Sequence, residues 1–279
     1  MNKIQRRRLK WEARFMTPVY RALMVQVREV AASVEKYGVA YARFAKVNPE
    51  PVRKALEKLY KVVMIGEANA MYDGLKVKRA SIGINEAWQK EVLAYLDKYL
   101  LNKAVLPISD YSKKIIEDAI KKGVEEGLGA AEIAKMLRGL EDVNKVRAMR
   151  IVRTEAGRAA NFGHMLAAND SPYVYLKEWI AADDGRTRDT HRPRTGVDGE
   201  VVDFNQRFSN GLLYPGDPAG VASEVVNCRC TVAFRVKRDA NGNPIRKPQQ
   251  VFRRSLVETL WGITIGNILG GLINEIIGE

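Results

Sequence analysis

Cysteine and histidine are scarce in this chain, with two of each among 279 residues. The cysteines, Cys228 and Cys230, are one residue apart, too close for an ordinary structural disulfide framework. That spacing excludes the disulfide-stapled secreted class and points to folding in a reducing cytoplasm. Residues 1–10 are basic and residues 11–20 are charged and mixed, so no secretory leader is expected. There is no phosphate-binding Walker loop, no dinucleotide fingerprint, no HExxH and no internal repeat. Acidic residues are in deficit: 33 Asp+Glu face 46 Lys+Arg, a net charge of +13. Such a field attracts polyanions, so nucleic acid or an acidic protein surface is the natural partner. The plainer alternative is a solubilising excess of lysine on helix faces.

What is present is a folded composition, 46% hydrophobic and 28% charged, in a chain long enough for one large domain or two ordinary ones. Leu23, Val27, Val30 and Val34 step by three and four, predicting a helix that Gly38 interrupts and Asn48–Pro49 ends. The run Arg6–Arg7–Arg8 ahead of it either grips phosphate or is a charged start. A second helix is expected over 51–71, and a third over 85–104 with Trp88, Val92, Tyr95, Leu96 and Tyr99 as a core stripe. Pro107–Asp110 reads as a fresh helix start, Gly127 and Gly129 as its end, and 130–140 as a short successor. The helix expected over 143–168 has the apolar line Val146, Met149, Val152, Ala156 and Ala159, with Arg153, Glu155 and Asn161 beside it. An ordinary helix turns those polar groups outward; Glu155 and Arg158 are spaced as an i,i+3 pair.

From Ser171 the periodicity changes. Residues 173–180, 200–204 and 231–236 suit strands, with glycine- and proline-rich turns between them. The expected fold class is α+β: a helical region over 1–110, a β-containing module over 111–236, a basic linker over 237–254 and an apolar helix over 255–279. The linker carries six basic residues, Lys237, Arg238, Arg246, Lys247, Arg253 and Arg254, which are candidate DNA contacts. In the final helix Gly262, Gly266 and Gly270 recur every fourth residue, the spacing for close helix–helix approach. Glu258, Asn267, Asn274 and Glu275 interrupt it, so docking or self-association is favoured over a resident membrane span, with transient membrane contact left open.

The most specific stretch runs from Trp179 to Cys230 and holds both cysteines and His191. His191, Cys228 and Cys230 are three candidate zinc ligands, with Asp183, Asp184 or Asp189 as a fourth. The competing reading is a hydrogen-bonded cluster, in which His191 and the aspartates pin the loop and Arg186, Arg188 and Arg229 pair with carboxylates. Catalytic readings place Arg153, Glu155 and His191 in a phosphodiester-cleaving site, or a cysteine nucleophile beside His191.

The order Arg153–Thr154–Glu155, Asn161, Trp179, Asp184, Arg186–Thr187–Arg188, His191, Gly199, Tyr214–Asp217, Glu224 and Asn227–Cys228–Arg229–Cys230 resembles the Mu F-like phage minor head proteins. The resemblance spans about residues 115–236 and leaves out the N-terminal helices and the tail. It implies a low-copy minor capsid protein inside the virion, associated with the portal protein and packaged double-stranded DNA. Head assembly or genome ejection is the implied role, with the host cytoplasm as the place of assembly. The same residues would organise the module rather than catalyse. A metal-dependent nuclease or nucleotide-modifying enzyme is the alternative, and a purely DNA-binding packaging factor a third.

Overall fold

A computed structural model describes residues 3–44, 46–75, 84–182, 184–192, 196–247 and 255–257. The chain falls into two units, residues 1–60 with 96–156 and residues 61–95 with 157–279, so neither is a continuous stretch.

The first unit starts with α1, Lys3–Tyr37, whose line Phe15, Val19, Leu23, Val27, Val30 and Val34 is buried. This spacing gathers the apolar side chains on one face, which is why the helix persists through Pro18 despite the lost N–H donor. Gly38 interrupts the helical stretch as expected, by capping α1 ahead of a 3-10 helix, Val39–Phe44: its φ of 81° is left-handed, and its N–H donates to the Val34 carbonyl at 2.9 Å. The helix α2, Glu50–Gly74, begins behind Asn48, whose side-chain oxygen accepts from Glu50 N. Next, α3 spans Ile84–Tyr99 and runs through a π-helical turn, Leu100–Val105, directly into α4, Leu106–Glu125. The fresh start expected at Pro107 is therefore absent. Val105 is itself helical, and a proline in the first turn lacks only an N–H that has little use there.

Gly127, at φ 73°, ends α4, and the Glu132 carboxylate accepts from Gly129 N at the start of α5, Ala130–Arg138. Met24, Val27, Val30, Ala31 and Val34 of α1 pack with Ile116 of α4 and Ile133, Ala134 and Leu137 of α5. The long helix α6, Glu141–Asp170, departs from its expected orientation. Val146 is 63% exposed and Met149 36%, while Thr154, Glu155, Arg158, Asn161 and His164 are buried. Val152, Ala156 and Ala159 do lie inside. A helix that buries a polar network carries no clean apolar stripe, which is the physical reason its inward face is misread.

In the second unit a three-stranded antiparallel sheet has the order β2-β1-β3. The strands are β1, Tyr175–Ile180; β2, Val201–Asp203; and β3, Thr231–Val236, with a short α7, Ala222–Val225, before β3. Trp179 pairs with Val232, and Lys177 with Val202 on one side and Phe234 on the other. Period-two alternation turns Tyr175, Lys177 and Trp179 to the buried face. Gly163 of α6 lies so close to α2 that a Cβ there would sit 2.4 Å from the Met64 carbonyl oxygen. Next to it, His164 Nε2 meets Glu67 Oε2 at 2.9 Å, both fully enclosed.

Residues 237–247 of the segment expected to be a linker are tied down by backbone hydrogen bonds. Lys237 N donates to Val174 O and Val174 N to Ile245 O, with bridges at Tyr173–Arg246 and Arg238–Pro244. The turn works because Asp239 accepts from Asn241 N and Asn243 N, and Gly242 takes φ 82°. Mostly helical with one small sheet, the fold is α+β. Among the described residues no helix is long and apolar enough to cross a membrane. Arg253, Arg254, Gly262, Gly266 and Gly270 lie outside the described residues.

Candidate functional site

The loop after β1 is built by local hydrogen bonds. Asp184 accepts from Arg186 N through its side chain and from Thr187 N through its carbonyl, an Asx-type turn. A 3-10 turn, Asp189–His191, then carries His191 inward to 1% exposure. The imidazole stands edge-on to Trp179, with centroids 4.8 Å apart, and Trp179 stands edge-on to Phe208. From the other side comes Asn227, a non-glycine residue at φ 61°; asparagine is among the side chains that tolerate this conformation best. Cys228 and Cys230 follow, both buried. Residues i and i+2 of extended chain share a face, so the cysteines turn together while Arg229 reaches Asp184 with both guanidinium nitrogens, at 2.5 and 2.6 Å.

His191 Nδ1 lies 3.7 Å from Cys228 Sγ and 3.6 Å from Cys230 Sγ. On the opposite edge of the ring, Nε2 is 2.8 Å from Glu224 Oε2, and the same carboxylate accepts from Thr190 Oγ1 at 3.0 Å. A carboxylate takes a proton donor, so Nε2 carries the hydrogen and the Nδ1 lone pair faces the sulfurs. The Cys230 thiol is pushed far above the ordinary range, first by the Cys228 thiol and then by burial; Ala182 N–H and the Trp179 indole act the other way. Two crowded thiols in an apolar pocket stay neutral unless a cation joins them.

Asp184, expected as a metal ligand, is not part of this cluster among the described residues. Its carboxylate is committed to Arg229 and to its own turn. Asp189 pairs with Arg192 at 3.2 Å, and Asp183 lies outside the described residues. Of the three arginines expected on carboxylates, only Arg229 is so paired among the described residues. Arg188 donates to the Val226 carbonyl instead, and Arg186 is exposed, contributing its backbone N–H.

Asn161 ties this cluster to α6. Its Nδ2 donates to Pro215 O at 2.8 Å and Cys230 O at 3.2 Å, and its Oδ1 accepts from Thr231 Oγ1 and Val232 N. Arg158 Nε donates to Gly216 O at 2.6 Å. Asp217 closes the Tyr214–Asp217 turn by accepting from Leu213 N, Ala219 N and Arg207. Lys177, which sequence reasoning passed over, is fully buried: Nζ donates to Leu213 O at 2.6 Å and lies 5.1 Å from the Phe208 ring centroid. Burial lowers its pKa to about 7. The signal was a lysine at the inward position between Tyr175 and Trp179.

Arg153 and Glu155 belong to the other unit. Arg153 Nε is 3.3 Å from Glu12, and Glu155 is enclosed under the hydroxyls of Tyr60 and Tyr99. Burial raises the Glu155 carboxyl to about 7. Among the candidate DNA contacts, Arg6 is exposed and, with Lys3, Arg7 and Lys10, lines a shallow basic depression on α1. Arg8 is buried, donating to Arg153 O and pairing with Glu12. Lys237 pairs with Asp203, Arg238 donates to Gly242 O, and Arg246 lies over Tyr173. Lys247 donates to Ala168 O and Asn169 O at the end of α6. Arg238 and Lys247 are drawn into the module because its turns and helix end leave carbonyls to satisfy.

Residues 114–233 match the family described as Phage Mu protein F like protein, so that segment is similar to the Mu F-like family. Among curated proteins, one named NAD(+)--arginine ADP-ribosyltransferase EFV from Enterococcus faecalis (strain ATCC 700802 / V583) is 34% identical over 136 residues. That alignment covers 47% of this chain and 27% of that protein. Uncharacterized protein YqbB of Bacillus subtilis (strain 168) is 25% identical over 175 residues, 57% of each chain. The chain thus spans less than two thirds of either relative's length. No solved structure matches it.

Proposed function

We propose that this protein is a minor head protein acting in phage head morphogenesis, held inside the capsid beside the portal and in contact with packaged DNA. The carrying observation is the Mu F-like segment, 114–233, which suggests a head-morphogenesis protein and, coarsely, a virion setting. The contact with DNA is supported by the net charge of +13 and by the exposed Lys3, Arg6 and Lys10 on α1. Assembly takes place in the host cytoplasm, and the apolar tail docks on a partner, on a second copy or transiently on membrane. The test is mass spectrometry of DNA-filled particles and of assembly intermediates. A few copies per particle are expected; absence from both sinks the capsid reading.

The name of the Enterococcus relative favours one second reading, ADP-ribosyl transfer. The overlap takes in 27% of that protein, so the named activity need not reside in the shared part. Incubation with labelled NAD+ and an arginine-containing acceptor decides it: label on the acceptor supports transfer, and an unlabelled acceptor leaves the structural role. A nuclease role is tested by DNA cleavage that His191→Ala abolishes in folded protein.

A further inference from the structure

We infer that His191 Nδ1, Cys228 Sγ and Cys230 Sγ bind one zinc ion, with Glu224 fixing the imidazole for that purpose. The three ligand atoms lie within 4.8 Å of one another, and all three residues are buried. Tetrahedral zinc, with Zn–S of about 2.3 Å and Zn–N of about 2.05 Å, sets N···S separations of about 3.6 Å. The separations here are 3.7 and 3.6 Å.

A purely hydrogen-bonded cluster accounts for this less well. With its hydrogen on Nε2, facing Glu224, the imidazole offers a single lone pair at Nδ1. One thiol can donate to that lone pair and the other to its neighbour's sulfur, whereas a cation placed on the lone pair meets both sulfurs at once. Glu224 supplies the outer partner that metal-bound imidazoles usually have, a carboxylate on the remote ring nitrogen. The surroundings suit thiolate ligation as well: Trp179 and Phe208 pack with both cysteines in one buried cluster and shut out water. Two sulfurs and an imidazole select zinc over magnesium or calcium, which take oxygen donors.

The ion would tie three pieces of chain that share no regular element: the 3-10 turn after β1, the chain entering β3 and, through Glu224, α7. The site does not rest on the head-protein reading. It would order the same loops in a particle protein or in an enzyme.

The experiment is elemental analysis of the untagged full chain, purified without chelator. About one zinc per chain is expected. Glu224→Gln, which leaves all three ligands in place, should weaken zinc 10- to 100-fold in competition with a chromophoric chelator. Cys228→Ser and His191→Ala should lose the metal. Should those variants fail to fold, cobalt loading of the wild-type protein still decides: thiolate-to-cobalt charge-transfer bands with tetrahedral d–d bands support the site. A folded, metal-free wild type that gives no such bands overturns it, as does a Cys228–Cys230 disulfide found by thiol titration.

Discussion

Asn161 and Val232 are joined by a buried hydrogen bond, 3.1 Å from the backbone N–H of β3 to the side-chain oxygen on α6. That oxygen also accepts from Thr231 Oγ1, and the Asn161 amide nitrogen serves Pro215 O and Cys230 O. One side chain thus meets two turns of chain 54 to 71 residues away in sequence. Asn161→Ala leaves these partners buried and unpaired, and should cost roughly 3 kcal/mol. Asn161→Asp keeps the acceptor but faces two carbonyls with negative charge, so it should be no better. Urea unfolding measures both; a loss under about 0.5 kcal/mol would show that water replaces the amide.

Gly163 and Met64 set the spacing of α6 and α2 within the second unit. A Cβ at 163 would lie 2.4 Å from Met64 O and 3.1 Å from Ala68 N, both backbone atoms that a rotamer change cannot move. Gly163→Ala should therefore destabilise by about 2 kcal/mol, against the usual gain from replacing a helical glycine. Thermal melting checks the sign. A stabilised variant would mean that the helices separate freely.

The helices and strands were legible where one physical signal dominated. The stripe from Trp88 to Tyr99 and the run Phe15 to Val34 are apolar at helical spacing, and both are buried as expected. The strand at Thr231–Val236 follows from its β-branched and aromatic residues. In α6 the signal failed, because Glu155, Arg158, Asn161 and His164 are buried by specific partners that no periodicity encodes. The same holds at the site. Cys228, Cys230 and His191 were visible as a set through their rarity, but Glu224 as the partner of His191 and Arg229 as the partner of Asp184 depend on the path of the chain. Lys247 shows the limit of charge counting: a cation in an apparent linker is fixed by two helix-end carbonyls.

That placement separates the basic residues into two groups. Lys247 is pulled to a pKa of about 8 by burial, and its ammonium protons are directed at the carbonyls of Ala168 and Asn169. Lys247→Met should lower the melting temperature and leave the salt dependence of DNA binding unchanged. Replacing Arg6 and Lys10 by serine should do the reverse: the salt slope falls by about one for every phosphate that is no longer neutralised. Fluorescence anisotropy over a salt series reads both. A slope altered by Lys247→Met but not by the α1 variants would move the DNA-binding face to the module.

Stability should pass through a minimum near neutral pH, because two buried groups act with opposite signs. Glu155 holds its proton up to about pH 7 in the folded chain, while the ordinary carboxyl loses it near 4.5. The folded state therefore binds more protons across that window, and its stability falls as pH rises through it, by about 3 kcal/mol. Lys177 is neutral above about 7 in the folded chain and charged up to 10.5 when unfolded, so stability rises again over that range. Glu155→Gln should flatten the acid limb alone and raise stability at pH 8. Lys177→Met should flatten the alkaline limb, at a constant cost for the unpaired Leu213 carbonyl. Urea unfolding at a series of pH values from acid to alkaline resolves the two limbs. If the wild type and Glu155→Gln traced parallel curves on the acid side, the carboxylate would have to be charged beneath Tyr60 and Tyr99.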